Sequence, residues 1–471
     1  MSTILYWNIQ DFAINKIQDQ GKKRNKYGQK RNLDRASSLR FDFILNHIED
    51  LDPDIFVVVE VEAPQRRARG QLISGGSGSL GIFALLESMQ NIDANWGLVP
   101  PLRTGNHEAV GVFFRQDRMI CTGPNFWMGG QGPTTNAITY ALSGAYPPAV
   151  QTMNNTLIPP GAWNANGFAM QARCAGRVNF TDGVGAAVDF GTLRAPFQTT
   201  FWDIANGRNI NIFSVHSPPS PADAANYLNT LATIPAITGA PVATEYRIVL
   251  GDFNLNLLSP TALYTNCYNA LCAAVLANPF AIALIPNPLA PAPAPLIGYR
   301  AYFSTHILPI NATKDSEYGD VIRPGATFWS TAARNAYYPG YSYISVSYNN
   351  AGNVIYPSDS LDNILYKFYA GTNVVNPPQT TVINGIVGSP YRPVGANPGA
   401  LNLGYQAFAS ELGTAWAVMD NPPPPTPAPP DVGELADIDN FFPLRNAFTR
   451  NLTNYPTVRG TSDHLPLFFS F

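Results

Sequence analysis

Charge is what this chain has least of. Asp, Glu, Lys and Arg make up 13% of its 471 residues and leave a net charge of −3, well under the usual quarter for a soluble protein. Bulk charge therefore argues neither for nor against a polyanionic partner, and local charge must decide. Cysteine is scarce too. Cys121, Cys174, Cys267 and Cys272 are too few for a disulfide framework and contain no CxxC pair, which excludes a cysteine-type zinc module. The most apolar tract, residues 270–299, is broken by Pro279, Pro286 and Pro288, which excludes an ordinary membrane-spanning helix. Met1-Ser-Thr runs into a strand without a basic leader, so the expectation is a soluble protein, without stable membrane insertion and cytoplasmic by default. Gly75-Gly-Ser-Gly78 lacks the Gly-Lys-Ser/Thr ending of a phosphate-binding P-loop. No repeat of fixed period is visible.

What is abundant is proline, at 42, and glycine, at 38, the mark of a loop-rich globular chain. Apolar strands alternate with these loops, and polar residues punctuate their ends. Ile4 to Ile9 carries Asn8, and Asp54 to Glu60 is apolar up to Glu60. Between them, Leu39, Phe43, Ile44, His47 and Ile48 are spaced for a helix from 36 to 51 packed on a sheet, which Asp52-Pro53 stops. Residues 66–81 read as a flexible loop, followed by a helix near 82–89. Glu108 precedes another strand. Residues 194–202 and 209–217 form two strands about an Asn206-Gly207 turn, the second ending in His216. Tyr246 to Leu250 reads as a strand covered on both faces, after which Gly251 turns the chain and Asp252 and Asn254 are expected on one side. Ser360-Leu-Asp362 opens a later strand, and Asp463-His464 leads into the last one. Stretches at about 121–170, 258–355 and 370–440 interrupt this series as insertions in one domain spanning 1–471.

Singly, each such residue is ordinary strand-end or turn chemistry. As a set they specify a reaction class, because oxygen ligands from Asp, Glu and Asn suit magnesium, calcium or manganese. A histidine beside a carboxylate moves protons near neutral pH. Together these parts serve hydrolysis of a phosphate ester, with the cation stabilising phosphoryl charge.

The ordered set Trp7-Asn8-Ile9, Glu60, His216, Gly251-Asp-Phe-Asn254, Ser360-Leu-Asp362 and Ser462-Asp-His464 resembles the endonuclease/exonuclease/phosphatase superfamily. Val59-Glu60-Val61, Arg194-Ala-Pro-Phe197 and Val215-His-Ser-Pro-Pro-Ser220 resemble its deoxyribonuclease I branch. The resemblance implies an α/β fold, a four-layer sandwich of two packed mixed β-sheets flanked by helices. It implies a divalent cation, Mg2+ first and Ca2+ or Mn2+ as alternatives, bound by Glu60 with Asn8 and Asp463. It further implies that Asp252 deprotonates the attacking water, that Asn254 holds the phosphate, and that His216 with Glu108 acts on the leaving oxygen. His464, held by Asp362, would contact the phosphate. Arg194, and Arg24 and Arg31 from the basic segment 22–40, would touch a nucleic-acid backbone, most simply DNA. One alternative is a lipid phosphodiesterase of sphingomyelinase type, using the apolar tract 270–296 to enter a membrane. The other is an inactive binding protein that kept the fold.

Overall fold

The computed structural model describes residues 1–18, 33–64, 69–70, 73, 76–105, 107–128, 172–257, 264–284, 305–307, 347–348, 354–356, 360–372, 378–386 and 454–471. In chain order the strands are β1 Thr3–Phe12, β2 Ile55–Glu62, β3 Trp96–Val99, β4 Arg103–Gly105, β5 Glu108–Arg115, β6 Met119–Gly123, β7 Asn125–Met128, β8 Ala172–Ala175, β9 Phe197–Asp203, β10 Arg208–His216, β11 Glu245–Asp252, β12 Ala281–Ile282, β13 Ser347–Tyr348, β14 Val354–Tyr356, β15 Asp362–Phe368, β16 Gln379–Val382 and β17 Leu467–Ser470. One sheet runs β16-β17-β1-β2-β5-β3, with β4 also on β5, and the other runs β12-β15-β11-β10-β9-β6. Each contains a single parallel pair among the described strands, β1 with β2 and β10 with β11. The chain between those partners carries the helices Leu33–Leu51 and Pro221–Ala232, as a parallel crossover requires.

The sheets pack face to face. Phe114 of one meets Phe201 of the other at 5.4 Å between ring centroids, and Tyr366 meets Phe469 at 5.8 Å. Strands β1, β2, β11 and β15 are buried along almost their whole length, which is why their sequences read as continuous apolar runs rather than as alternating ones. Helices flank this core, giving the four-layer α/β sandwich.

The helix Leu33–Leu51 buries Ile44 and Ile48 and sets Phe43 and His47 against the Trp7 ring, at 5.8 and 5.4 Å. Leu39, expected on that face, is 44% exposed. Here the inward stripe passes through Ser37, which is buried, and Leu39 is turned away from it. The stretch expected to be a loop up to Gly81 enters a helix at Ser77, Ser77–Ile92. Its glycines serve close packing: a Cβ on Gly78 would lie 1.9 Å from the Glu62 carbonyl oxygen, and one on Gly81 would lie 2.8 Å from the Ala13 backbone.

The stretches read as insertions contribute to the sheets. β12 pairs with β15, β16 pairs with β17, and β13 and β14 form their own ribbon. Within the apolar tract that the lipid reading would put into a membrane, Phe280 and Leu284 are buried, while Val275 and Leu276 are exposed. Lys367 Nζ sits over the Phe280 ring at 4.3 Å. No helix among the described residues is long and apolar enough to cross a membrane.

Candidate active site

Strand register assembles the centre of the site. His216 is paired with Asp252, and Asp252 with Asp362, so the ends of β10 and β11 and the start of β15 present three chemistry-bearing residues side by side. Gly251 is required there, because a Cβ would lie 2.0 Å from the Val215 carbonyl oxygen. The other sheet faces this row with Asn8, Glu60 and Glu108, while His464 enters on the segment before β17.

Glu60 was expected at the end of its strand, yet β2 continues to Glu62. The ladder slips on both sides of Glu60, between Asn8 and Phe12 and between Val58 and Val61, and Glu60 takes a φ of 60°. A bulge re-aims a side chain in this way. Asn8 Nδ2 donates to Glu60 Oε1 at 3.0 Å and lies 3.2 Å from Asp252 Oδ2. The Asp11 backbone N–H donates to Glu60 Oε2 at 3.2 Å. Asn8 Oδ1 is buried and has no hydrogen-bond partner among the described residues.

Two histidine–carboxylate pairs flank Asp252. His216 Nδ1 lies 2.7 Å from Glu108 Oε2, and its Nε2 is 3.6 Å from both Glu60 Oε1 and Asp252 Oδ2. His464 Nδ1 lies 2.6 Å from Asp362 Oδ2, and its Nε2 is 3.8 Å from Asp252 Oδ2. Behind the second pair, Tyr6 OH donates to Asp362 Oδ1 at 2.8 Å and the Asp362 N–H donates to Thr305 Oγ1 at 3.0 Å. Trp7 Nε1 donates to the His464 carbonyl at 2.9 Å. Ser462 Oγ donates to the Asn8 carbonyl at 2.5 Å, tying the final segment to β1.

The electrostatics follow from burial and these pairs. Burial raises the Asp252 pKa to about 6, against the pull of His464 and His216. Burial alone would discharge His216, but Glu108 and Asp252 outweigh it and raise its pKa. For His464 burial is likewise outweighed, by Asp362 and Asp252, and the pKa rises to about 10. Burial works against the Glu108 charge, and His216 and Arg194 overcome it to hold its pKa below the usual carboxylate value.

Asn254 departs from the expected geometry. Its φ of 48° breaks the extended chain, so it does not share a face with Asp252 through strand alternation. Instead its N–H donates to Asp252 Oδ1 at 2.8 Å and its Nδ2 to the Ser217 carbonyl at 3.1 Å, placing the amide beside the His216 loop. Arg194 forms an ion pair with Glu108 and donates to the Ser217 carbonyl at 3.4 Å. It braces the His216–Glu108 pair and leaves less of its guanidinium for a phosphate. Asp463 stands with His306, at 3.9 Å, and Arg459, at 3.6 Å. Arg24 and Arg31 lie outside the described residues.

Among the described residues, two groups of side chains have metal-ligand types within reach of one another, Glu60 with His216 and Asp252, and His306 with Asp463 and His464. Sequence reasoning missed Tyr6, Asp11, Thr305 and His306. Of these, His306 carried a signal, as one of only five histidines. Lys16 was missed as well. Burial lowers its pKa to about 8, and Asp463, Asp11 and Glu60 are the carboxylates that act on it.

No protein-family profile matches the sequence, and no curated protein matches it. Solved structures similar to it include humanized D. rerio TDP2, at 10% identity over 80% of this chain and 87% of that one with a TM-score of 0.35. The human Nocturnin catalytic domain with bound sulfate is 14% identical over 78% and 82%, with a TM-score of 0.31. An endonuclease/exonuclease/phosphatase family protein from Bacteroides thetaiotaomicron is 10% identical over 81% and 86%, with a TM-score of 0.33. Scores of this size carry no function across, so the functional reading rests on the side chains themselves. Among the described residues those side chains stand at strand ends and at one bulge, on two mixed sheets packed face to face with helices outside, the layout that the sequence resemblance implies.

Proposed function

We propose that this chain is a divalent-cation-dependent phosphodiesterase, and specifically an endonuclease that hydrolyses DNA. One observation carries the reading: two buried histidines, each backed by its own carboxylate, turn their Nε2 atoms toward the same oxygen, Asp252 Oδ2, at 3.6 and 3.8 Å. A binding surface has no use for this arrangement, whereas in-line attack on a phosphodiester needs a base on one side and proton donors on the other.

The residues present fit a hard cation. Asn8 Oδ1 is a buried acceptor without a donor among the described residues, on the amide whose Nδ2 donates to Glu60 Oε1; with that amide turned over, its oxygen and the Glu60 carboxylate would suit Mg2+, with Ca2+ or Mn2+ as alternatives. Glu60 and Asn8 would hold the ion, and when bound it would neutralise charge developing on the phosphoryl oxygens. Asp463, the third ligand of the sequence reading, lies 3.9 Å from both His306 Nε2 and His464 Nε2.

The remaining work falls to the chain. Asp252, with its pKa raised to about 6, is ionised at neutral pH yet basic enough to take a proton from water. Its Oδ1 is fixed by the Asn254 N–H, and its Oδ2, which accepts from Asn8 Nδ2 at 3.2 Å, keeps a second lone pair to accept that proton. His216, whose hold on a proton Glu108 strengthens against burial, can give its Nε2 proton to the leaving oxygen. His464, cationic through Asp362, faces the phosphate as a fixed charge. Asn254 orients a phosphate oxygen, and Arg24, Arg31 and Arg194 supply backbone contacts that weaken with salt.

The test is incubation of the purified protein with supercoiled plasmid DNA, RNA and sphingomyelin, each with Mg2+ and with chelator. Nicking of plasmid that chelator abolishes is the expected result. Release of phosphocholine without nicking would replace this reading by the lipid one, and inactivity on all three substrates would leave the binding-protein reading.

A further inference from the structure

We propose that His306, Asp463 and His464 form a second metal site, selective for a transition ion of the zinc type, whose filling withdraws His464 from the phosphate. The site itself is independent of the function proposed above, and only its inhibitory consequence rests on that reading.

The donor set differs from the oxygen pair at Glu60. The ligand atoms of the three residues all lie within 4.8 Å of one another. His306 Nε2 is 3.9 Å from Asp463 Oδ2, and His464 Nε2 is 3.9 Å from Asp463 Oδ1. A tetrahedral ion with bonds near 2.0–2.1 Å places its ligands about 3.3 Å apart, so these two contacts, which fall on different oxygens of Asp463, must each close by about 0.6 Å, and the remaining separations, all within 4.8 Å, by at most about 1.5 Å. Two imidazole nitrogens and one carboxylate favour zinc, cobalt or nickel over magnesium.

The cradle is held by backbone. His306 and His464 are partners in an antiparallel bridge. The Ile307 N–H donates to the Asp463 carbonyl at 2.7 Å and the Leu465 N–H to the Thr305 carbonyl at 2.6 Å. The two rings stand edge to face at 5.2 Å. Thr305 and Ile307 are fully buried, so His306 is anchored on both sides.

Independent features point to a ligand. Asp463 Oδ1 is buried with no hydrogen-bond partner among the described residues. His464 is 6% exposed, and among the described residues its Nε2 meets carboxylate oxygens only at 3.8 and 3.9 Å, too long for a hydrogen bond. Its Nδ1 is fixed by Asp362, which in turn accepts from Tyr6. A metal-binding histidine is usually oriented through its distal nitrogen in this way. The opposing charge is Arg459, whose Nη2 is 3.6 Å from Asp463 Oδ2, and Oδ1 is the oxygen that remains open.

The experiment titrates Co2+ into the full chain in excess Mg2+ and follows the visible absorption of the cobalt. A band that saturates at one equivalent, persists in Glu60→Gln and is lost in His306→Ala is expected. His306→Gln, which keeps the backbone bridge, serves where the alanine variant does not fold, and circular dichroism decides which is used. The absence of a band, or a band lost in Glu60→Gln and kept without His306, overturns the site whatever the protein's activity. On nicked plasmid, Zn2+ added at fixed Mg2+ should slow the wild type at least tenfold and leave the rate of the His306 variant at its own zinc-free value. Equal inhibition of both would overturn the withdrawal of His464.

Discussion

Asn8 Nδ2 reaches Glu60 Oε1 at 3.0 Å only because Glu60 holds a φ of 60° within a bulge of β2. Left-handed backbone costs a side-chain-bearing residue roughly 1–2 kcal/mol, and such strain collects at functional positions. Glu60→Gly relieves it and removes the carboxylate. The expected outcome is a melting temperature no lower than that of the wild type, together with loss of Mg2+-supported hydrolysis. Thermal unfolding and plasmid nicking measured on one preparation check both halves. A melting temperature several degrees lower would mean that Glu60 serves the fold.

Much of this site was legible from local sequence. Asp252, Asp362 and His464 each punctuate an apolar strand, and those strands fold where their patterns place them. Glu60 was found but mislocated, because a bulge is defined by two neighbouring strands and leaves no mark in either sequence. Asn254 was placed by strand alternation, which its φ of 48° interrupts. His306 and Tyr6 were not seen as site residues. His306 acquires its neighbour from the final segment of the chain, and Tyr6 finds Asp362 across the two-sheet interface. Such pairings exist only after the sheets have packed.

Gly78 shows the same limit in the fold. A glycine-rich run reads as a loop, but a Cβ at 1.9 Å from the Glu62 carbonyl marks a helix pressed against β2. Gly78→Ala must push the Ser77–Ile92 helix outward, and overpacking of this kind costs about 1–3 kcal/mol. Chemical denaturation should show that loss with an unchanged slope. Stability equal to that of the wild type would mean that the helix moves freely.

Asp252 makes stability and activity depend on pH in opposite senses. Its folded-state pKa is raised from 3.8 to about 6 by burial, so between those values the folded state binds more protons than the unfolded one. Stability therefore falls as pH rises through that window. Activity needs the ionised group and should rise through an acid limb near pH 6 that belongs to the coupled cluster rather than to one residue. Asp252→Asn is expected to melt higher than the wild type at pH 7 in chelator, to lose that advantage by about pH 4, and to be inactive throughout. Melting curves across pH decide it: an asparagine variant less stable at pH 7 would show that the charge is compensated in the fold.

Asp362 and His464 are expected to act as one unit. The carboxylate accepts from Nδ1 at 2.6 Å and from Tyr6 at 2.8 Å, which fixes both the tautomer and the ring angle and keeps the imidazole charged. Without Asp362 the ring is free to turn and its proton is less firmly held. Without His464 the carboxylate has nothing to orient. Asp362→Ala and His464→Ala should each lower kcat by roughly a hundredfold to ten-thousandfold, and the double variant should be hardly slower than the slower single one. Asp362→Asn is a gentler probe. It keeps the shape and one acceptor but removes the charge, so the group that stays protonated to about pH 10 should titrate at lower pH. NMR titration of the His464 ring gives that value directly. Single-variant losses that simply add, or a His464 titration unmoved by Asp362→Asn, would show that the two residues act separately and that the short distance between them is packing alone.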